Sequence, residues 1–124
     1  MADNDDKIKE LKEKIKQMEE EKELSQIAKY NYLIGRYFHR AHTSWEKITA
    51  IDYVDYDEYD GDEIHFECIN IYYDDRGDEY NRKCYISMDS YGSLYAKDIE
   101  QQETTEEKFR CAFEGITDFI KSKI

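Results

Sequence analysis

The stretch Glu63-Ile64-His65-Phe66-Glu67-Cys68-Ile69-Asn70-Ile71-Tyr72-Tyr73 is dense in Ile, Phe and Tyr. Read as a strand, it places Ile64, Phe66 and Cys68 on one face and His65, Glu67, Ile69 and Ile71 on the other, because successive strand side chains point to opposite sides. Apolar residues on both faces predict that the second face is covered in part. Working outward, Trp45 to Val54, Tyr80 to Met88 and Ser93 to Lys97 share the β-rich composition, and Arg36-Tyr37-Phe38-His39 reads as a short strand before a loop at Ala41-His42-Thr43-Ser44. Asp60-Gly61, Arg76-Gly77 and Tyr91-Gly92 fall between these runs, 16 and 15 residues apart. Each is a turn signal, so the expected sheet is an antiparallel meander of four to five strands.

Helices are predicted at both ends. From Asp6 to about Lys29, the residues Ile8, Leu11, Ile15 and Met18 recur at steps of three and four among Lys and Glu. The phase then breaks at Lys22, and Leu24 and Ile27 resume on a shifted stripe. Two heptads permit a short coiled coil, and an isolated helix of this length is marginal, so the stripe needs something to pack on. Lys12 and Lys14 would face Glu19 and Glu21 of an antiparallel mate, which makes Ile8, Leu11, Ile15 and Met18 the candidate oligomerisation residues. Docking of this helix on its own domain is the alternative. Near the C-terminus, Thr104 and Glu107 have capping-box spacing, and Phe109, Phe113, Ile116 and Ile120 line one helical face beside Ala112 and Phe119. The expected fold class is therefore α+β: a helix over residues 1–30 as a possible oligomerisation element, then one domain over 31–124 with the C-terminal helix on its sheet.

The 124 residues are 40% hydrophobic, 15% aromatic and 39% charged, which is too apolar for a disordered chain. No apolar run approaches the length of a membrane helix. The acidic start Met1-Ala2-Asp3-Asn4-Asp5-Asp6 lacks the pattern of a secretory signal, and the cytoplasm is the expected location. Cys68, Cys84 and Cys111 are widely spaced and odd in number, so they are read as reduced, small apolar residues. The net charge of −12 is concentrated: residues 52–80 carry twelve acids against Arg76, whereas residues 25–51 carry a net +3.

Enzymatic motifs are missing. His65 and Cys68, three apart on a strand, point to opposite faces and cannot pair as base and nucleophile. There is no phosphate loop, dinucleotide fingerprint, His-Glu-x-x-His or serine elbow. Glu58, Asp60, Gly61 and Glu67 occupy four places of a calcium loop, but Tyr56 stands at the first place and the flanks read as strands. His39-x-x-His42 has no further ligands nearby in sequence. No enzyme activity, cofactor or metal is expected.

What remains is the acidic, tyrosine-rich segment. Asp52, Asp55, Tyr56, Asp57, Glu58, Tyr59, Asp60, Asp62 and Glu63 surround one turn, and Asp74, Asp75, Asp78 and Glu79 repeat the composition at the next. Tyrosine supplies rigid contact area with a polar tip, and same-face carboxylates about 6.7 Å apart on a strand approach the spacing of phosphates. These residues are the candidate partner-binding set. In size, acidic Tyr-rich hairpin, lack of proline and AT-rich codon-type residue usage, the chain resembles the small acidic phage proteins that counter bacterial defence, above all anti-CRISPR proteins that imitate nucleic acid. That resemblance implies a phage-encoded inhibitor in the host cytoplasm. Its partner would be a basic nucleic-acid-binding protein, such as a CRISPR effector or another defence nuclease. It implies no direct binding of nucleic acid and no membrane. Two alternatives remain: an oligomeric sponge for a small nucleotide, using Arg36, His39, Arg40 and His42, or an oligomeric scaffold or virion accessory protein.

Overall fold

The computed structural model describes residues 2–74 and 83–124. In chain order these form α1 (Ala2–Lys29), a 3₁₀ turn (Asn31–Leu33), β1 (Tyr37–Arg40), β2 (Ser44–Asp57), β3 (Gly61–Asp74) and β4 (Lys83–Tyr95), followed by a second 3₁₀ turn (Ala96–Asp98), α2 (Ile99–Gln102), β5 (Glu103–Thr104) and α3 (Glu106–Lys123). The strands make one antiparallel sheet in the order β4-β3-β2-β1-β5. The fold is α+β, a meander with a helix at each end and a short fifth strand added beside β1. The expected turn at Arg76-Gly77, and with it Asp75, Asp78 and Glu79, lies outside the described residues.

Tyr91-Gly92 is not a turn. Both residues lie within β4, where Tyr91 pairs with Glu67 and Gly92 with Phe66. A Cβ at Gly92 would stand 2.8 Å from Glu46 Oε2 and 3.0 Å from the Phe66 ring. The glycine therefore admits two neighbouring side chains across the sheet, a use of glycine in strands that is distinct from turning.

Register explains the partial alternation of β2. Ile48, Ile51 and Val54 are three apart, yet all pack in the core that contains Ile64, Phe66 and Cys68. Two register shifts on β2, between Ile48 and Ala50 and between Ile51 and Tyr53, make this possible, since each bulge inserts one residue and restores the side-chain direction. This closed face is completed by Tyr30, Leu33, Phe38, Leu94 and Ile99.

The opposite face is covered by α3, as the apolar residues on both sides of β3 predicted. Phe109 packs on Tyr37 with ring centroids 5.0 Å apart, and Phe119 meets Tyr73 at 5.6 Å. Ile116 is buried with Ile71. Phe113 and Ile120 flank this contact and stay exposed, so the buried stripe runs through Phe109, Ala112, Ile116 and Phe119. The capping box does not form: Thr104 is paired with Tyr37 in β5, and Thr105 is the N-cap, its hydroxyl accepting from the Lys108 N–H at 3.2 Å.

Among the described residues, only the C-terminal end of α1 is fastened to the sheet. Tyr30 is buried, its hydroxyl donates to Asp62 at 2.5 Å, and Lys29 Nζ lies 3.7 Å from the same carboxylate. Burial first, and then the Asp62 hydrogen bond, raise the Tyr30 hydroxyl above its ordinary pKa. Ile8, Leu11, Ile15, Met18 and Leu24 are exposed. The alternative in which the apolar stripe docks on its own domain is thus not what the chain adopts.

Candidate functional site

Because α3 begins over Tyr37 and runs towards Tyr73, it leaves the hairpin half of its sheet face open. Three cross-strand rows occupy that half: Ala50, Glu67 and Tyr91; Tyr53, His65 and Ser93; Asp55, Glu63 and Tyr95. Side chains two residues apart on one strand repeat about every 6.7 Å, so the rows form a regular grid. Tyr53, Asp55 and Tyr91 are exposed, while His65, Glu63, Glu67 and Tyr95 are half-buried within the grid.

The grid is internally bonded at one corner. His65 Nε2 lies 2.7 Å from Glu63 Oε1 and 3.2 Å from Asp55 Oδ2, and its ring stacks on Tyr53 at 4.1 Å and 9°. Tyr95 hydrogen-bonds to Glu63 on the other side, which is the main reason its hydroxyl pKa is raised, with Asp60 and Asp57 adding to it. Tyr91 is raised as well, chiefly by the charge of Asp89 and then of Glu67, with a contribution from Asp52. Two neighbouring phenols are thus held in their neutral form by surrounding carboxylates, which marks this face as a region of negative potential.

The acidic hairpin divides between the two faces. Asp55 pairs with Glu63 across β2 and β3 on the open face, whereas Tyr56 pairs with Asp62 on the closed face. A single row from Asp55 through Asp62 therefore does not exist. Asp57 accepts from the Tyr59 and Asp60 N–H groups and so builds the turn, and Asp60 pairs with Lys97 at 2.5 Å. Tyr59 stands at the tip, 92% exposed, and Tyr56 is 77% exposed beside α1. Asp52 and Glu58 are exposed, and with Glu67 they enter no ion pair or hydrogen bond among the described residues. Asp74 ends β3 and is engaged in a contact of its own.

No protein-family model matches the chain, no curated protein matches it, and no solved structure matches it.

The four residues of the alternative nucleotide patch are not brought together. Arg36 pairs with Glu103 at 3.2 Å and lies over Tyr32. His39 stacks on Trp45 at 3.7 Å on the α3 face, while Arg40 points to the closed face, where its Nε is 2.9 Å from the buried Glu46 and its Nη1 donates to the Ser93 carbonyl. His42 occupies the tight turn with a positive φ of 63°. Phe38, between Arg36 and Arg40 in the chain, is fully buried and offers no ring to a base. Nor do the calcium-loop positions converge: Asp60 is in the turn and Glu67 is opposite Ala50, well along the strand.

The residues that sequence reading missed are Tyr53, His65, Glu67, Tyr91 and Tyr95. The alternation Glu63-x-His65-x-Glu67 is a legible signal for three functional groups on one strand face. Tyr91 was hidden by the turn reading of Tyr91-Gly92, which also divided β4 into two runs and so concealed the register that sets Tyr95 opposite Glu63.

Among the described residues, no helix is long and apolar enough to cross a membrane.

Proposed function

We propose that this is a non-enzymatic interaction protein whose open sheet face and adjoining hairpin tip occupy the basic, nucleic-acid-binding groove of another protein. The observation that carries the reading is the chemistry of the uncovered half-face. Where a sheet needing another layer would present aliphatic residues, this one presents Asp55, Glu63, Glu67, Tyr53, Tyr91 and Tyr95. Carboxylates at strand spacing complement Lys and Arg side chains that ordinarily hold phosphates, and the exposed tyrosine rings replace stacked bases. The hairpin tip, with Glu58 and Tyr59, extends the same surface. A phage-encoded inhibitor of a defence nuclease, acting in the host cytoplasm, is the biological setting that fits such a surface. Direct binding of DNA or RNA does not fit it, because like charge repels phosphate.

The test is competition. A nucleic-acid-binding protein retained on the immobilised chain should release its nucleic acid as the chain is added, with an affinity that falls steeply as salt rises. A partner that keeps its nucleic acid, or binds equally at low and high salt, refutes the reading.

The exposed stripe of α1 supports self-association as a second property of the chain. Ile8, Leu11, Ile15 and Met18 form an uncovered apolar seam, and the order of Lys12, Lys14, Glu19 and Glu21 suits an antiparallel second copy. Full-length protein should sediment as a multiple of the chain. L11K combined with I15K, at positions that are exposed in the single chain and so spare its fold, should shift it to the monomer. A wild-type monomer at high micromolar concentration rejects self-association.

A further inference from the structure

We infer that Asp55, Glu63 and His65 form a binding site for a divalent transition metal, with Zn²⁺ as its natural probe. This does not rest on the partner reading. The nearest oxygens of Asp55 and Glu63 and the Nε2 of His65 all lie within 4.8 Å of one another. Tetrahedral ligands at zinc bond lengths are roughly 3.4 Å apart, and two of the separations here, 3.2 and 2.7 Å, need only slight opening. The His65 Nε2 is buried and meets only the Asp55 and Glu63 carboxylates, so a metal would take the place of the proton that otherwise lies between the imidazole and these oxygens.

The supporting shell is also in place. Ligands of a metal are usually oriented by outer hydrogen bonds and packing. The Tyr53 ring, stacked on His65, fixes the imidazole plane, and the Tyr95 hydrogen bond holds Glu63. Asp55 and Glu63 are direct cross-strand partners, an arrangement of like charges that is unfavourable by itself. A dication between them turns that repulsion into attraction. Three protein ligands leave at least one coordination position to water or to a group from outside, because Asp55 faces solvent.

Imidazole selects among metals. It suits Zn²⁺, Ni²⁺, Cu²⁺ and Fe²⁺, whereas Ca²⁺ and Mg²⁺ take oxygen ligands. Binding requires both carboxylates and the imidazole to be free of protons, so affinity falls as pH falls.

The experiment is calorimetric titration of the full chain with Zn²⁺, with a thermal melt alongside. We expect one zinc per chain and a raised melting temperature, because the metal clips β2 to β3 in the folded state only. H65Q should abolish the binding, and E63Q and D55N should each weaken it. Y95F should weaken it by about 10- to 100-fold through the orientation of Glu63. The exposed Cys111 and His42 offer competing ligands, so C111S and H42N serve as controls and should bind zinc as the wild type does. Undetectable zinc binding, retention of tight binding in folded H65Q, or loss of binding in C111S or H42N overturns the assignment. Equally tight Ca²⁺ binding overturns the metal class.

Discussion

Arg40→Ala should cost the fold about 3–5 kcal/mol, the penalty typical of removing one partner from a buried ion pair. Glu46 is 2% exposed, and its charge is met by Arg40 Nε at 2.9 Å. Its other polar neighbours are hydroxyl and thiol groups: Cys68 Sγ donates at 3.6 Å and Ser44 is hydrogen-bonded. None of these replaces a positive charge. Burial already raises the Glu46 pKa, and Arg40 is the largest influence lowering it; the same surroundings push the Cys68 thiol up to about 12. Without Arg40, the folded-state pKa of Glu46 rises further while its unfolded value is unchanged. Between those two values the folded chain holds a proton that the unfolded chain has lost. Stability of the variant therefore increases as pH is lowered through that window, and the deficit against wild type shrinks. A denaturant series from neutral pH down through the carboxylate range measures both effects. A loss under about 1 kcal/mol at neutral pH, as for an exposed ion pair, contradicts this account. Replacing both residues, Arg40→Met with Glu46→Leu, should recover most of the stability.

This pair also shows where sequence reading stops. The two faces of β3 were legible, because Ile64, Phe66 and Cys68 against Ile69 and Ile71 is a pattern that only a sheet covered on both sides requires. So was α3, from the spacing of Phe109, Ile116 and their neighbours. Arg40 and Glu46, in contrast, look like surface charges near a loop. The burial of Glu46 against the half-buried Arg40 depends on the tight turn through Ala41 and His42, whose positive φ values of 54° and 63° neither residue type announces, and on Gly92 coming across from β4. Gly92 itself was misread for the same reason: the close approach it permits involves residues 26 and 46 positions away. The composition of the acidic hairpin was plain, yet its division into two faces was not. It follows from the β2 bulges and from Asp57 pairing with Gly61, which sets Asp55 opposite Glu63. Glu63 and His65 could be read as same-face neighbours; that Asp55 joins them needs the register.

Neutralising the open face should weaken partner binding by about a hundredfold or more at low salt, since charged hydrogen bonds contribute roughly 1.5–3 kcal/mol each. The choice of residues matters. Asp62 holds Tyr30 and Lys29, Asp60 holds Lys97, and Asp57 builds the turn, so changing these mixes folding with binding. Asp52→Asn, Glu58→Gln and Glu67→Gln remove charge at carboxylates with no ion pair or hydrogen bond among the described residues. The triple variant should melt at or slightly above the wild-type temperature, because like-charge repulsion is relieved. Asp62→Asn is the complementary control: it should melt lower, through loss of its contacts with α1, and bind nearly normally, because its side chain faces away from the grid. Tyr53→Ala and Tyr91→Ala should act differently again, raising the off-rate while leaving the salt dependence in place, as expected of aromatic anchors. Rim charges act mainly on the on-rate and its response to salt, so a titration at two ionic strengths separates the two kinds of contact. If the triple variant is folded and binds as tightly as wild type at both salt concentrations, the carboxylates serve only to keep the chain soluble, and imitation of nucleic acid is not how this surface works.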